Sequence, residues 1–139
     1  RTDSSAASDV YKRQKLIFNK IDNCKIIGDR DKLIEIFTNL IDNSIKYSDK
    51  NKEIIITAKK DGDLIIISVA DQGIGIPKES IHRITERFFT VDPSKSRSVG
   101  GTGLGLAIVK HLVSQHRAEM NINSIENQGT TIDIKFNSL

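Results

Sequence analysis

At 139 residues, with 37% hydrophobic and 28% charged side chains, the chain has one domain's length and enough apolar content to offset chain entropy. Collagen-like, low-complexity and wholly disordered classes are excluded. A net charge of +3 from 21 basic and 18 acidic residues is too mild for a dedicated nucleic-acid protein, and 5% aromatic residues without tryptophan argue against a stacking platform for single strands.

Taken in chain order, residues 1–14 (RTDSSAASDVYKRQ) mix small polar and charged residues without period, and they read as a disordered tail or a sequence-derived scar. Apolar patterning occupies 15–139, the expected domain. KLIFNKID and CKIIGD predict two short strands around Asp22-Asn23. Asp29 is the expected N-cap of a helix over about 31–48, where Leu33, Ile36, Phe37, Leu40, Ile41 and Ser44 form one stripe at helical spacing. Residues 53–60 and 63–70 are β-branched runs joined by Asp61-Gly62, a strong hairpin signal. A loop DQGIGIP and a second helix over 78–88 follow. Residues 90–103, rich in Ser and Gly, have no apolar period and read as a mobile loop. A third helix over 104–116 is apolar on most sides, and MNINSI and TTIDIKF predict a closing hairpin around 126–129. Hairpin-joined strands interspersed with helices give an α+β class, with helices on one face of a mostly antiparallel sheet. The one cysteine, Cys24, rules out an internal disulfide and a cysteine-ligated metal cluster and fits a reducing compartment. No run reaches the ~20 apolar residues of a membrane span, and no secretory signal opens the chain.

Three features suggest chemistry. Asn39, Asn43 and Lys46 share a sector of roughly 60° beside the apolar stripe. Asparagine is a poor helix former, so this seam is either a solvated face or a ligand contact; amide oxygens beside a lysine suit a magnesium ion surrounded by phosphate oxygens. Two glycine clusters, 71–75 and 100–105, match neither GxxxxGK[ST], since Leu106 and Ala107 stand where Lys and Ser/Thr are required, nor GxGxxG. Gly101, Gly103 and Gly105 nevertheless lead into a helix, whose open N–H groups and dipole favour a phosphate. Asp71, at a strand end before Gly73 and Gly75, is either a turn residue or a ligand group.

Together these segments resemble the ATP-binding catalytic domain of sensor histidine kinases, in the GHKL ATPase superfamily. DRDKLIEIFTNLIDNSIKYS matches the asparagine box, DQGIGIP the first glycine box, ERFFTVD the phenylalanine box, GGTGLGLAIVKHLVSQH the second glycine box and GTT the terminal glycine motif. The resemblance covers 15–139 in order and spacing. It implies a two-layer α/β sandwich of Bergerat type, with a mixed sheet, three helices on one face, and ATP between the helices and a lid over about 90–100. By the resemblance, Asn43 coordinates Mg²⁺, Asn39 and Lys46 contact phosphates, and Tyr47 flanks the adenine. Asp71 accepts its amino group, and Gly73 and Gly75 let the backbone approach the base. The backbone of Gly101, Thr102, Gly103, Leu104 and Gly105 holds phosphates, and Thr130 joins the nucleotide site.

The resemblance further implies transfer of the γ-phosphate, with Asn39 and Asn43 as the catalytic pair, to a histidine on a separate dimerisation domain. A response regulator receiver lies downstream, and no nucleic acid is involved. It also implies a cytoplasmic domain of a membrane-bound sensor kinase. Hydrolytic relatives carry a glutamate base where Asn39 stands, and an amide has no basic form; Glu35, one turn earlier, falls outside the pattern. Departures are Thr90 for the usual arginine, leaving Lys95 and Arg97 as lid cations, and Arg117-Ala118 for two glycines after His116, which removes the usual glycine cap. His82, His111 and His116 lie in the wrong contexts for a phosphoacceptor. The alternatives are a stand-alone anti-sigma-factor serine kinase and a non-catalytic nucleotide-binding module of a degenerate kinase.

Overall fold

A computed structural model of the chain describes residues 14–49 and 51–138. Five strands form one sheet in the order β1-β2-β3-β5-β4: β1 Lys15–Ile21, β2 Glu53–Asp61, β3 Leu64–Ala70, β4 Glu119–Ile125 and β5 Gly129–Asn137. β1 runs parallel to β2 and the other pairs are antiparallel. The alternation of β2 places Ile54, Ile56 and Ala58 on one face, continued by Ile65 and Val69 of β3 and by Ile132, Ile134 and Phe136 of β5. Thr57, Ser68 and Asp133 are paired on the other face.

The apolar face is covered by α1, Arg30–Lys46, and α3, Gly105–Gln115. Ile36 and Leu40 of α1 and Val109, Leu112 and Val113 of α3 are buried in the shared core, each side chain of this size contributing about 1.5–3 kcal/mol by leaving water. Asp29 caps α1, its carboxylate accepting from Lys32 N at 3.1 Å. The two helices pack antiparallel: the start of α1 meets the end of α3 through Asp29 and His116, and Asn39 meets the start of α3 beside Gly105.

The structure departs from the sequence reading in four places. Only one strand forms in 15–28. β1 already occupies the free edge of β2, so Cys24 and Ile26 pack on the core from irregular chain. The segment 78–88 is a 3-10 helix, Lys78–Arg83, followed by turns. Phe88 takes φ 65° and its N–H donates to Gly103 O at 2.8 Å, which draws the chain away from a helical path. The loop 90–103 contains a short helix, α2, Pro93–Ser98, whose cap Asp92 accepts from Ser94 N and Lys95 N at 3.0 and 3.1 Å. Proline at the first helical position is preorganised for such a start.

The fourth departure concerns the missing glycine cap. α3 still ends in a Schellman turn: Ala118 N donates to Val113 O and Arg117 N to Ser114 O, at 3.1 and 3.0 Å, with Arg117 itself at φ 53°. The tail expected over 1–14 lies outside the described residues except for Gln14, whose Nε2 donates to the carbonyls of Ile45 and Ser48, each at 2.9 Å.

Candidate functional site

Between α1, α3, the 71–76 loop and the 89–92 segment lies a cleft of about 280 Å³. Three walls supply polar groups over an apolar floor that includes Ile76, Ile84, Ile108 and Ile132. Such a mixture suits an organic ring below and a charged group above.

The α1 wall carries the expected seam. Asn39, Asn43, Lys46 and Tyr47 all line the cleft. Asn39 Nδ2 donates to Glu35 O at 2.9 Å, which fixes the amide so that Oδ1 faces α3, 3.5 Å from where a Cβ on Gly105 would stand. Lys46 Nζ pairs with Asp42 Oδ2 at 2.9 Å. Asp42 was not anticipated; it lines the cleft four residues before Lys46 and places a carboxylate beside the amides. Asn43, Asn39 and Asp42 are hard oxygen donors of the kind magnesium takes.

Asp71 stands on the sheet side. Its Oδ1 accepts from Gly73 N at 2.9 Å and Thr130 N at 3.2 Å, and its own N–H donates to Thr130 O at 2.8 Å. Burial pushes the carboxyl above its ordinary value of 3.8, while hydrogen bonds from Gly73, Ser44 and Thr130 pull it back in part. Ser44 occupies a stripe position in the sequence and is buried as expected, yet it is polar because it donates to Asp71. A lone serine in an apolar stripe was the signal that could have found it. Gly75 and Thr130 line the cleft and Gly73 does not. A Cβ on Gly73 would stand 2.3 Å from Tyr47 O, so Gly73 seats the loop on the end of α1.

Gly101, Thr102, Gly103, Leu104 and Gly105 form the third wall. Gly103, at φ 74°, accepts from Phe88 N, and Thr102 Oγ1 accepts from Leu104 N at 3.3 Å. α3 begins without a side-chain cap, so its first-turn N–H groups stay open toward the cleft, with the positive end of the helix dipole behind them. Above them Tyr47 Oη donates to Ser96 Oγ of α2 at 3.2 Å. Lys95 and Arg97 are not among the residues lining the cleft.

Comparison with known proteins agrees with this geometry. Residues 28–138 match the family model "Histidine kinase-, DNA gyrase B-, and HSP90-like ATPase". Sensor histidine kinase WalK of Bacillus subtilis is 42% identical over 106 residues, 75% of this chain and 17% of WalK. Mycobacterial sensor histidine kinase MprB superposes with a TM-score of 0.80 at 27% identity, over 97% of this chain and 89% of that one. Full-length ShkA, solved in complex with AMPPNP, superposes with a TM-score of 0.80 at 25% identity, over 99% of this chain and 28% of ShkA. The chain spans less than a third of the length of curated relatives such as WalK and the phosphate regulon sensor PhoR of Pseudomonas aeruginosa, at 17% and 30%. With these motifs in one cleft and this family across most of its length, the chain belongs to the histidine kinase-, DNA gyrase B- and HSP90-like ATPases, as a catalytic domain of the sensor histidine kinase kind.

Proposed function

We propose that this cleft binds Mg·ATP and presents the γ-phosphate to a histidine on a separate dimerisation domain of the same kinase, from which a response regulator receiver later takes it. The supporting observation is the approach of Asn39 Oδ1 to the open start of α3 at Gly105. That pairing places an amide oxygen near helix N–H donors, so a ligand that offers metal to one and anion to the other suits both. A magnesium phosphate does both. When bound, the ion would neutralise phosphate charge from Asn43, with Asn39 beside it. The first-turn N–H groups of α3 would hold the phosphate oxygens, and Lys46 would add a cation once released from Asp42.

The base would lie over Ile76 and Ile132 with its amino group toward Asp71, and Tyr47 would flank it. Asn39 cannot abstract a proton from water. The cleft therefore holds and orients a donor phosphate, and attack is left to an incoming imidazole. Among the described residues no helix is long and apolar enough to cross a membrane; we place the domain on the cytoplasmic side of a membrane-bound sensor, where ATP is found.

Calorimetry with ATP and magnesium tests the binding, and addition of the dimerisation domain from the source protein tests the transfer. Expected are ATP binding by this chain alone and phosphohistidine only when the second domain is present. Stable phosphohistidine on His82, His111 or His116 of this chain would overturn the transfer reading.

A further inference from the structure

His116 ends α3, and its ring also holds the start of α1. Nδ1 lies 2.8 Å from Leu112 O, one turn back in α3, and Asp29 N donates to Nε2 at 3.1 Å. A carbonyl only accepts and an amide N–H only donates, so the two contacts together require a neutral imidazole with its proton on Nδ1. Space is kept for the ring: a Cβ on Gly28 would stand 2.7 Å from Cδ2 and 2.9 Å from Nε2. Because α1 and α3 run antiparallel, this tether closes one end of the helix pair and the approach of Asn39 to Gly105 closes the other. The separation of the asparagines from the glycine-led start of α3 is set between those two points.

We infer that His116 is a positioning residue for the nucleotide cleft: its neutral Nδ1–H tautomer locks α1 against α3, and protonation releases the lock. The inference rests on the nucleotide reading, but its first measurement needs no nucleotide. A proton on Nε2 turns the acceptor into a donor facing the Asp29 N–H, and that hydrogen bond is lost. The charged groups around the ring are Asp29 and Lys32 at the start of α1 and Arg117 in the turn after α3. The Asp29 carboxylate is already engaged by Lys32 N. The tether needs the neutral ring, and protonation removes the hydrogen bond from Asp29 N.

Nitrogen-15 NMR of the His116 ring in this chain, titrated between about pH 8 and 5, reads the tautomer directly. Expected are a neutral form protonated on Nδ1, and backbone amides of Asn39, Asn43 and Gly105 that shift along the His116 curve. Mg·ATP affinity should fall about threefold or more over that range, beyond any fall in His116→Gln, whose side-chain amide can accept from Asp29 and donate to Leu112. His116→Phe fills the space without either bond and should bind weakly at every pH; if it does not fold, the titration and the glutamine variant decide. A neutral ring protonated on Nε2, cleft amides that ignore the titration, or an unchanged pH dependence in His116→Gln overturns the inference. Cleft amides that follow His116 in a chain that binds no Mg·ATP would sink the nucleotide reading and leave the tether standing.

Discussion

Asp71 and Thr130 hold each other twice: the Asp71 N–H donates to Thr130 O at 2.8 Å, and the Thr130 N–H donates back to Asp71 Oδ1 at 3.2 Å. The carboxylate is thus positioned by two backbone N–H groups on Oδ1, with the Ser44 hydroxyl as a further donor. An ionised carboxylate only accepts, so it suits the amino group of adenine and repels the carbonyl of guanine. ATP should outcompete GTP by at least about tenfold, the scale of leaving a charged group unpaired. Asp71→Asn should bind ATP less tightly and discriminate less, and Asp71→Ala should weaken ATP without improving GTP. A competition assay on the three proteins checks this; an unchanged ATP-to-GTP ratio in Asp71→Asn removes Asp71 from base recognition.

The same residue predicts a pH dependence. Burial raises its folded pKa above 3.8, so between those two values the folded chain holds more protons than the unfolded chain. The contribution of Asp71 to stability therefore falls as pH rises through that window, and the charged form carries a penalty at neutral pH. Affinity for ATP runs the other way, declining as pH falls through the raised value because protonation removes the acceptor. Asp71→Asn keeps an Oδ1 for the Gly73 and Thr130 N–H groups without the buried charge. Its thermal midpoint should equal or exceed that of the parent while its nucleotide affinity falls, which scanning calorimetry and titration read separately.

Asn43→Ala should weaken Mg·ATP binding by about 1–3 kcal/mol, the scale for a hydrogen bond to a charged group, with no change in the unfolding midpoint. Asn43 is on the cleft side of α1 and outside the buried core. Titration with and without magnesium separates its roles. A loss of the same size in excess chelator would assign the amide to phosphate rather than to metal.

The elements that repeat locally were legible from the sequence. Asp29 caps α1, the 3.6-residue period places Asn39 and Asn43 on one wall, and a tight hairpin joins β2 to β3, its turn at Gly62-Asp63, one residue later than expected. What escaped depends on partners far along the chain. The 78–88 segment has helical composition, but Phe88 N–H is taken by Gly103 O. The close approach of Gly73 to Tyr47 O, which leaves no room for a side chain, joins segments 26 residues apart. Ser44 looked like part of the apolar stripe because burial and a polar duty toward Asp71 coincide there. Asp42 joins the cleft wall through its pairing with Lys46, a contact that helical spacing allows but does not single out.

Arg117→Gly should stabilise the domain. Arg117 takes φ 53° to complete the Schellman turn after α3, a conformation that costs an L-residue about 1–2 kcal/mol and glycine almost nothing. Glycine loses more chain entropy on folding, by roughly 0.5–1 kcal/mol, so the net gain should be about 0.5–1 kcal/mol. Chemical denaturation measures it; a loss of stability would mean that the Arg117 side chain supplies contacts outweighing its backbone strain.

Tyr47 and Ser96 form a latch over the cleft. Tyr47 Oη donates to Ser96 Oγ at 3.2 Å, and Gly101 N donates to Ser96 O at 2.7 Å, so α2 is fastened to the end of α1 and to the glycine loop through one buried serine. A Cβ on Gly101 would stand 2.6 Å from both the Tyr47 hydroxyl and Ser96 Oγ. Tyr47→Phe removes one hydrogen bond of about 0.5–1.5 kcal/mol while keeping the ring. Amides of 94–99 should then exchange a few-fold to about tenfold faster, with the core amides of β3 and β5 unchanged. Gly101→Ala should do more, because the methyl group must displace Tyr47 or Ser96, and its exchange increase should extend into 101–105 at the start of α3. Hydrogen exchange followed by mass spectrometry separates the two variants. If Tyr47→Phe leaves exchange over 94–99 unaltered, α2 is held by Asp92 and the Gly101 backbone alone, and Tyr47 serves only the α1 wall of the cleft.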